Sequence, residues 1–325
     1  MQKTIFLLTA TAWLFTACTP MEEKTKTLDY PKAQTVDVVD SYFGTDISDP
    51  YRWLENDTSA ETNAWVDAEN AVTKSYLDQI PFRQGMKDRL QKLWNYPKIG
   101  LPFKKGDFWY FYKNDGLQAQ SILYQIADLD AEPQIFINPN EFSADGTIAL
   151  AGLSFSKNGQ YCAYSISKGG SDWNEIFVMD VASKKLLADH IQWVKFSGIS
   201  WFKDGFFYGR FPAPKDGDAL KGKNLNQMVY YHQVGTEQDA DELKYKNDEF
   251  PERMYWIGAT KDERFLMLGA EDPNNRGNSL SYKKADAQDW TVVENGFEYQ
   301  IGIVGNIGDT IFIETNQDAP KNRVY

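Results

Sequence analysis

Much of the side-chain chemistry on which enzymes rely is scarce in this sequence. Its 325 residues include two histidines, His190 and His232, and two cysteines, Cys18 and Cys162. If Cys18 is consumed in processing, Cys162 is left alone and an intramolecular disulfide is excluded. Flanked by Tyr161 and Ala163 in an aromatic stretch, Cys162 reads as a core-packing residue. The histidines lie far apart and no Asp or Glu pair stands at ligand spacing, so no transition-metal set is expected. Asp272-Pro-Asn-Asn-Arg-Gly277 lacks the alternating acids and closing Glu of a calcium loop and reads as a surface turn. Walker and dinucleotide glycine patterns are missing too, so no cofactor is expected. Positive charge is also short: 34 Lys plus Arg face 46 Asp plus Glu, for a net charge of −12. Without a basic patch, nucleic acid is excluded as a partner. The acidic run Glu237-Gln-Asp-Ala-Asp-Glu242 reads as a solvated loop.

The one sustained apolar run is N-terminal and too short to span a bilayer as a helix. Lys3 precedes apolar residues 5–15, and small residues Thr16 and Ala17 lead to Cys18, the order of an export signal. Leu14-Phe-Thr-Ala-Cys18 is similar to a bacterial lipoprotein signal, which implies a lipidated Cys18 and a membrane-held, exported protein. An ordinary secretory signal ending near Cys18 is the other reading. Residues 1–18 are therefore set aside as leader, and the polar stretch 19–28 as a tether.

What the sequence has in abundance is aromatic residues, 15% of the chain, with 23 glycines. They recur in a pattern. Stretches beginning at Leu101, Leu153, Ile199, Ile257 and Ile303 each run from an apolar segment through a polar turn into a strand rich in Phe, Tyr and Ile. The spacings are 52, 46, 58 and 46 residues, room for about four short strands each, which is the blade of a β-propeller. Asn158-Gly159 and Asp204-Gly205 are expected to supply the positive-φ positions of tight hairpins. A lone hairpin cannot bury its apolar face, so blades must stack around an axis. The fifth unit stops at Val324-Tyr325, so residues 98–325 are expected to form an incomplete propeller of between four and five blades in a mainly β protein.

Residues 29–97 follow a different period. Trp65, Ala68, Val72 and Tyr76 recur at helical spacing, as do Met86, Leu90, Leu93 and Trp94. Each stripe needs a surface to cover, and a propeller's outer face offers little.

An ordered series of short stretches resembles one family: Asp49-Pro-Tyr-Arg-Trp-Leu-Glu55, Tyr96-Pro97, Gly116-Leu-Gln118, Asp145-Gly-Thr147, Gly170-Ser-Asp-Trp173, Val194-Lys-Phe-Ser197, Tyr230-Tyr-His232 and Thr315-Asn316. The chain is similar over residues 30–325 to the front part of prolyl oligopeptidases, post-proline-cleaving serine peptidases. The resemblance implies an α/β-hydrolase domain capped by a seven-bladed propeller, with the helical segment packed on that hydrolase domain and the catalytic Ser, Asp and His in residues beyond Tyr325. The partners it implies are short proline-containing peptides. It also carries over four positions on the substrate side: Phe196, Ile257 and Glu271 at the cleft, and Asp172 near a substrate-binding arginine of the hydrolase domain.

No substitute for the triad is legible within the chain, so no catalytic residue is assigned. Gly169-Gly-Ser171-Asp-Trp173 and Gly277-Asn-Ser279-Leu-Ser281 come closest to a nucleophile elbow, but both lack its closing glycine. His190 and His232 read as polar or packing residues of the blades. Two functions stay open: the front portion of a prolyl oligopeptidase-like endopeptidase, or a non-catalytic propeller lipoprotein that binds peptides or a protein partner. A sugar hydrolase would need closely placed acids inside the ring, for which the sequence gives no sign.

Overall fold

Turn chemistry accounts for the hairpins of this protein. The computed structural model describes residues 28–215 and 219–325; the leader, Cys18 and nearly all of the tether lie outside them. Two compact units divide at Met86 and Lys87.

In the first unit, β1 (Val39–Tyr42) and β2 (Thr45–Ser48) form a hairpin, and α1 spans Ala60–Asp78. Ser59 starts α1: its Oγ accepts from the Thr62 amide at 3.1 Å, satisfying one orphan donor of the first turn. Arg52, from the Asp-Pro-Tyr-Arg motif, is paired with Asp40 and Asp49. Residues Arg83–Trp94 form α2, across the division. Its Met86, Leu90, Leu93 and Trp94 are all exposed. The apolar stripe that periodicity marks is thus uncovered.

Blade one comprises β3 (Lys98–Ile99), β4 (Phe103–Lys105), β5 (Phe108–Asn114), β6 (Ile122–Ile126) and β7 (Gln134–Ile137). Blade two is β8 (Ile148–Phe155), β9 (Tyr161–Lys168), β10 (Asn174–Asp180) and β11 (Lys185–Val194). Blade three is β12 (Ser200–Phe202), β13 (Gly205–Arg210), β14 (Met228–Gln233) and β15 (Glu242–Tyr245). Blade four is β16 (Met254–Ala259), β17 (Phe265–Glu271), β18 (Asn278–Lys284) and β19 (Thr291–Glu294). The last sheet holds β20 (Ile301–Ile307), β21 (Thr310–Thr315) and β22 (Arg323–Val324). All pairings are antiparallel and most join sequence neighbours; β3 pairs β5 instead, and a single pair, Val194 of β11 with Arg210 of β13, joins blades two and three. The arrangement is the expected one, four blades and part of a fifth, and the sheets do not close into a ring.

Side-chain alternation shows where the cores sit. On β13, Phe206 and Tyr208 pack with Ile176, Ile191 and Val194 of blade two, whereas the intervening Phe207 packs with Tyr255, Ile257 and Leu266 of blade four. Strand β9 does the same: Cys162 and Tyr164 join Tyr110 and Leu123 of blade one, and Ala163 faces blade three. With both faces buried, an inner strand reads as an unbroken apolar run. Each fully buried large side chain contributes about 1.5–3 kcal/mol. Burial also pushes the Cys162 thiol pKa up, consistent with packing rather than reactivity.

One turn corrects the sequence reading. At the Lys203–Asp204 turn the left-handed residue is Lys203, at φ 52°, and Gly205 begins β13 at ordinary φ. Gly205 is required for space, since a Cβ there would fall 2.1 Å from the His232 carbonyl oxygen. At the other turn Gly159 does take positive φ, 73°, and passes so close to Gly106 that a Cβ would lie 2.6 Å from its Cα.

Candidate functional site

The end of β11 and the segment that follows it depart from regular structure with two bulky residues in the left-handed region, Trp193 at φ 62° and Phe196 at φ 52°. For side chains of this size that conformation costs about 1–2 kcal/mol, so the surroundings must hold it. They do so through named bonds. The Phe211 amide donates to the Trp193 carbonyl at 3.1 Å, the Gly209 amide to Ser197 Oγ at 2.7 Å, and Gln227 Nε2 to the Lys195 carbonyl at 3.2 Å. Gln227, buried, also accepts at Oε1 from the Tyr255 amide at 2.6 Å, so one side chain spans blades three and four beneath the segment. Gly209 makes room for it: a Cβ there would stand 3.1 Å from Gln227 Nε2.

The product of this framework is a Phe196 ring that is 53% exposed. A blade-core aromatic would be buried, as Phe206 and Phe207 are. Phe196 borders a cavity of about 370 Å³ whose walls include Tyr208, Met254, Trp256, Ile257 and Glu271. Three of the four positions marked in the sequence therefore meet around one space. Ile257 is a buried apolar wall, and the exposed Glu271 brings a carboxylate that makes no hydrogen bond or ion pair among the described residues. Met254 and Glu271 also line a larger neighbouring cavity of about 690 Å³ that includes Arg276 and Glu314.

Asp172 does not line the cavity of Phe196. It reaches the site through Lys195, whose Nζ lies 3.7 Å from Asp172 Oδ2, 5.0 Å from the Trp173 ring and 5.3 Å from the Phe196 ring. Trp173 is fixed by its indole N–H donating to the Ala219 carbonyl at 2.6 Å and by edge-to-face contacts with Trp193 and Phe211. Lys195 and Gln227 were not marked by the sequence reading. The strings Asp172-Trp173 and Lys195-Phe196 were visible, but no pattern announces that a lysine links them.

Neither serine of the near-elbow stretches sits in a nucleophile turn. Ser279 is the second residue of β18, paired with Ala270, and Ser171 lies in the strand-to-strand connection before β10. His190 bonds Glu175 at 2.7 Å and stacks on Phe177. His232 is buried, with Nδ1 2.7 Å from Asp241 and Nε2 2.9 Å from Asp189. Burial alone would lower its pKa, but the bonds to Asp189 and Asp241 prevail and hold it up at about 9. Here the acidic run departs from the solvated loop expected of it: Asp241 is drawn inside by His232 and by Tyr208, whose hydroxyl donates to it at 2.5 Å.

An open-ended β-propeller with an aromatic held out over an inter-blade cavity defines the class to which the chain belongs. The profile of the prolyl oligopeptidase N-terminal beta-propeller domain matches residues 30–325, and the chain is a member of the prolyl oligopeptidase family. Prolyl endopeptidases of Elizabethkingia miricola and Elizabethkingia meningoseptica are 47% and 45% identical to it, each over 93% of this chain and 43% of their own length. Among solved structures, prolyl oligopeptidase B from Galerina marginata bound to a 25mer macrocyclization substrate superposes with a TM-score of 0.77 at 31% identity, over 91% of this chain and 45% of that one. The chain thus spans somewhat under half the length of these relatives.

Proposed function

We propose that this chain is the propeller-side portion of a prolyl oligopeptidase-like serine endopeptidase acting on short proline-containing peptides, with the propeller limiting which peptides reach the cleft. The observation that carries this reading is the exposed Phe196 ring, kept in left-handed backbone at the rim of the cavity it shares with Ile257 and Glu271. A strained backbone costs stability wherever it occurs, and such residues cluster at ligand-binding and active sites. Phe196 would pack against the residues before proline, Ile257 would give an apolar wall, and Glu271 would favour peptides with a cationic group nearby. Asp172, held by Lys195, would face the hydrolase domain. The uncovered stripe of α2 gives that domain an apolar surface to cover. The Leu14-to-Cys18 stretch supports export with a lipid anchor at Cys18, and detergent phase partition of wild type against Cys18→Ser tests it.

In a catalytically competent protein carrying this chain, Phe196→Ala should lower kcat/KM for proline peptides extended before proline by roughly tenfold to a hundredfold, the loss of one aromatic contact of about 1–3 kcal/mol. The melting temperature should stay nearly constant, since the ring is half-exposed. Unchanged kinetics together with lost stability would refute the substrate role.

A further inference from the structure

A separate cleft of about 350 Å³ opens between blades three and four beside the Lys203–Asp204 turn. It touches the cavity of Phe196 through Phe207 and Ile257, which line both, but its chemistry differs. Aromatic rings form its wall: Phe207 lies 5.7 Å from Phe202 and 5.2 Å from Tyr231, and Trp290 adds a further ring from blade four. Three lysines border it, each with its ammonium over one of those rings. Lys203 lies 5.1 Å from the Phe202 ring, Lys244 5.7 Å from Tyr231, and Lys283 5.1 Å from Trp290.

The acids lining the cleft are already engaged. Asp204 accepts from the Tyr231 hydroxyl at 2.9 Å and from Gln233 at 3.3 Å, and Glu242 is ion-paired to Lys244 at 2.5 Å. The Lys203 backbone N–H donates to Glu263 Oε1 at 2.8 Å, while its ammonium makes no ion pair among the described residues. Lys283 has none either, and donates one N–H to the Ala287 carbonyl at 3.0 Å. Three lysines against Asp204 and Glu242 leave the lining of this aromatic cleft one net positive charge in a protein of net charge −12, and the ammonium groups of Lys203 and Lys283 stand outside any ion pair among the described residues.

We propose that the cleft is a binding site for a small anionic aromatic molecule, its ring lying against the Phe207, Tyr231 and Trp290 wall and its acid group met by Lys203 and Lys283. The volume falls at the lower end of ligand pockets, which suits one or two fused rings. Lysine meets an anion as a flexible point charge, so a carboxylate suffices without bidentate geometry. The wall contributes through stacking and apolar burial. Neither half accounts for binding alone, and the test depends on that.

The intact chain is titrated with 2-naphthoate by calorimetry and tryptophan emission, beside 2-naphthalenemethanol, which keeps the rings, and cyclohexanecarboxylate, which keeps the charge. The expected result is saturable one-site binding of 2-naphthoate, at least about tenfold tighter than either comparator and weakening with salt. Lys203→Met with Lys283→Met should weaken 2-naphthoate about tenfold while leaving the alcohol unchanged, and Trp290→Leu should weaken both. Should the double variant misfold, the ligand comparison on the unmodified chain still decides. Absence of saturation by about 10 mM, equal affinity for the alcohol, or undiminished affinity in a folded double variant each overturns the proposal.

Discussion

Removing His232 perturbs a fully buried imidazole bonded at both ring nitrogens to carboxylates. In the folded protein its imidazolium stands between Asp189 and Asp241, all three side chains out of solvent, and Asp189 also accepts from the Gly235 amide at 2.6 Å. Its pKa is about 9 when folded against 6.5 when free. A group whose pKa rises on folding contributes stability that is fully present below the unfolded value and is lost as pH climbs through the folded one. The difference amounts to at most about 3 kcal/mol, drained between pH 6.5 and 9. Asp189 has the opposite sign. Burial would raise its pKa, but His232 and the Gly235 amide lower it, so its contribution is present at neutral pH and fades only in acid, below the ordinary carboxylate value. Cys162 and the buried tyrosines, whose pKa values are raised, begin to matter only above about pH 9. The window from 6.5 to 9 thus belongs mainly to His232. Urea unfolding at half-unit pH steps should show wild-type stability falling across it, whereas His232→Gln should be about 3–5 kcal/mol less stable near pH 6 and nearly flat with pH. A flat wild-type profile, or an equal slope in the variant, would refute the charged clamp.

Three further outcomes follow from packing. Phe206→Ala empties the core between blades two and three and should cost about 3–5 kcal/mol by urea denaturation, with Ile191 amide exchange accelerating. Gly205→Ala forces a methyl against the His232 carbonyl and should destabilise by at least about 1–3 kcal/mol, whereas Gly302→Ala, with open space around it, should fall within about 0.5 kcal/mol of wild type. Gln227→Ala strands the Lys195 carbonyl and the Tyr255 amide and should cost about 2–4 kcal/mol; a change under about 0.5 kcal/mol would show that water replaces it without loss.

The blades were legible because two local rules repeat: turn residues between apolar runs, and aromatics on strands buried on both faces. Phe206-Phe207-Tyr208 announces burial, but which ring faces which neighbour follows from the pleat only once the blade order is known. At the Lys203 turn the pattern points to the wrong residue because asparagine, aspartate and glycine are favoured at positive φ, while here the glycine is needed for clearance from the next strand. Charge runs usually lie in solvent, but a partner nine residues away, His232, draws Asp241 inside. Phe196, Ile257 and Glu271 came from resemblance, not pattern. Lys195 and Gln227 escaped notice because their roles rest on contacts that cross between segments far apart in sequence.

Cores that lie between blades impose an order on synthesis. Tyr110, Leu123 and Phe136 emerge from the ribosome without the residues that complete their core, since Phe155, Cys162 and Met179 belong to the next unit. With units 46 to 58 residues apart, translation at about 5–20 residues per second leaves each new blade half-covered for roughly 2 to 12 s. During that interval its most recent face is an uncovered sheet surface studded with aromatics, the kind of surface on which chaperones act and aggregates begin. Slow codons placed one blade downstream of a core strand would lengthen that exposure, while the same codons at a blade junction already sealed would be harmless.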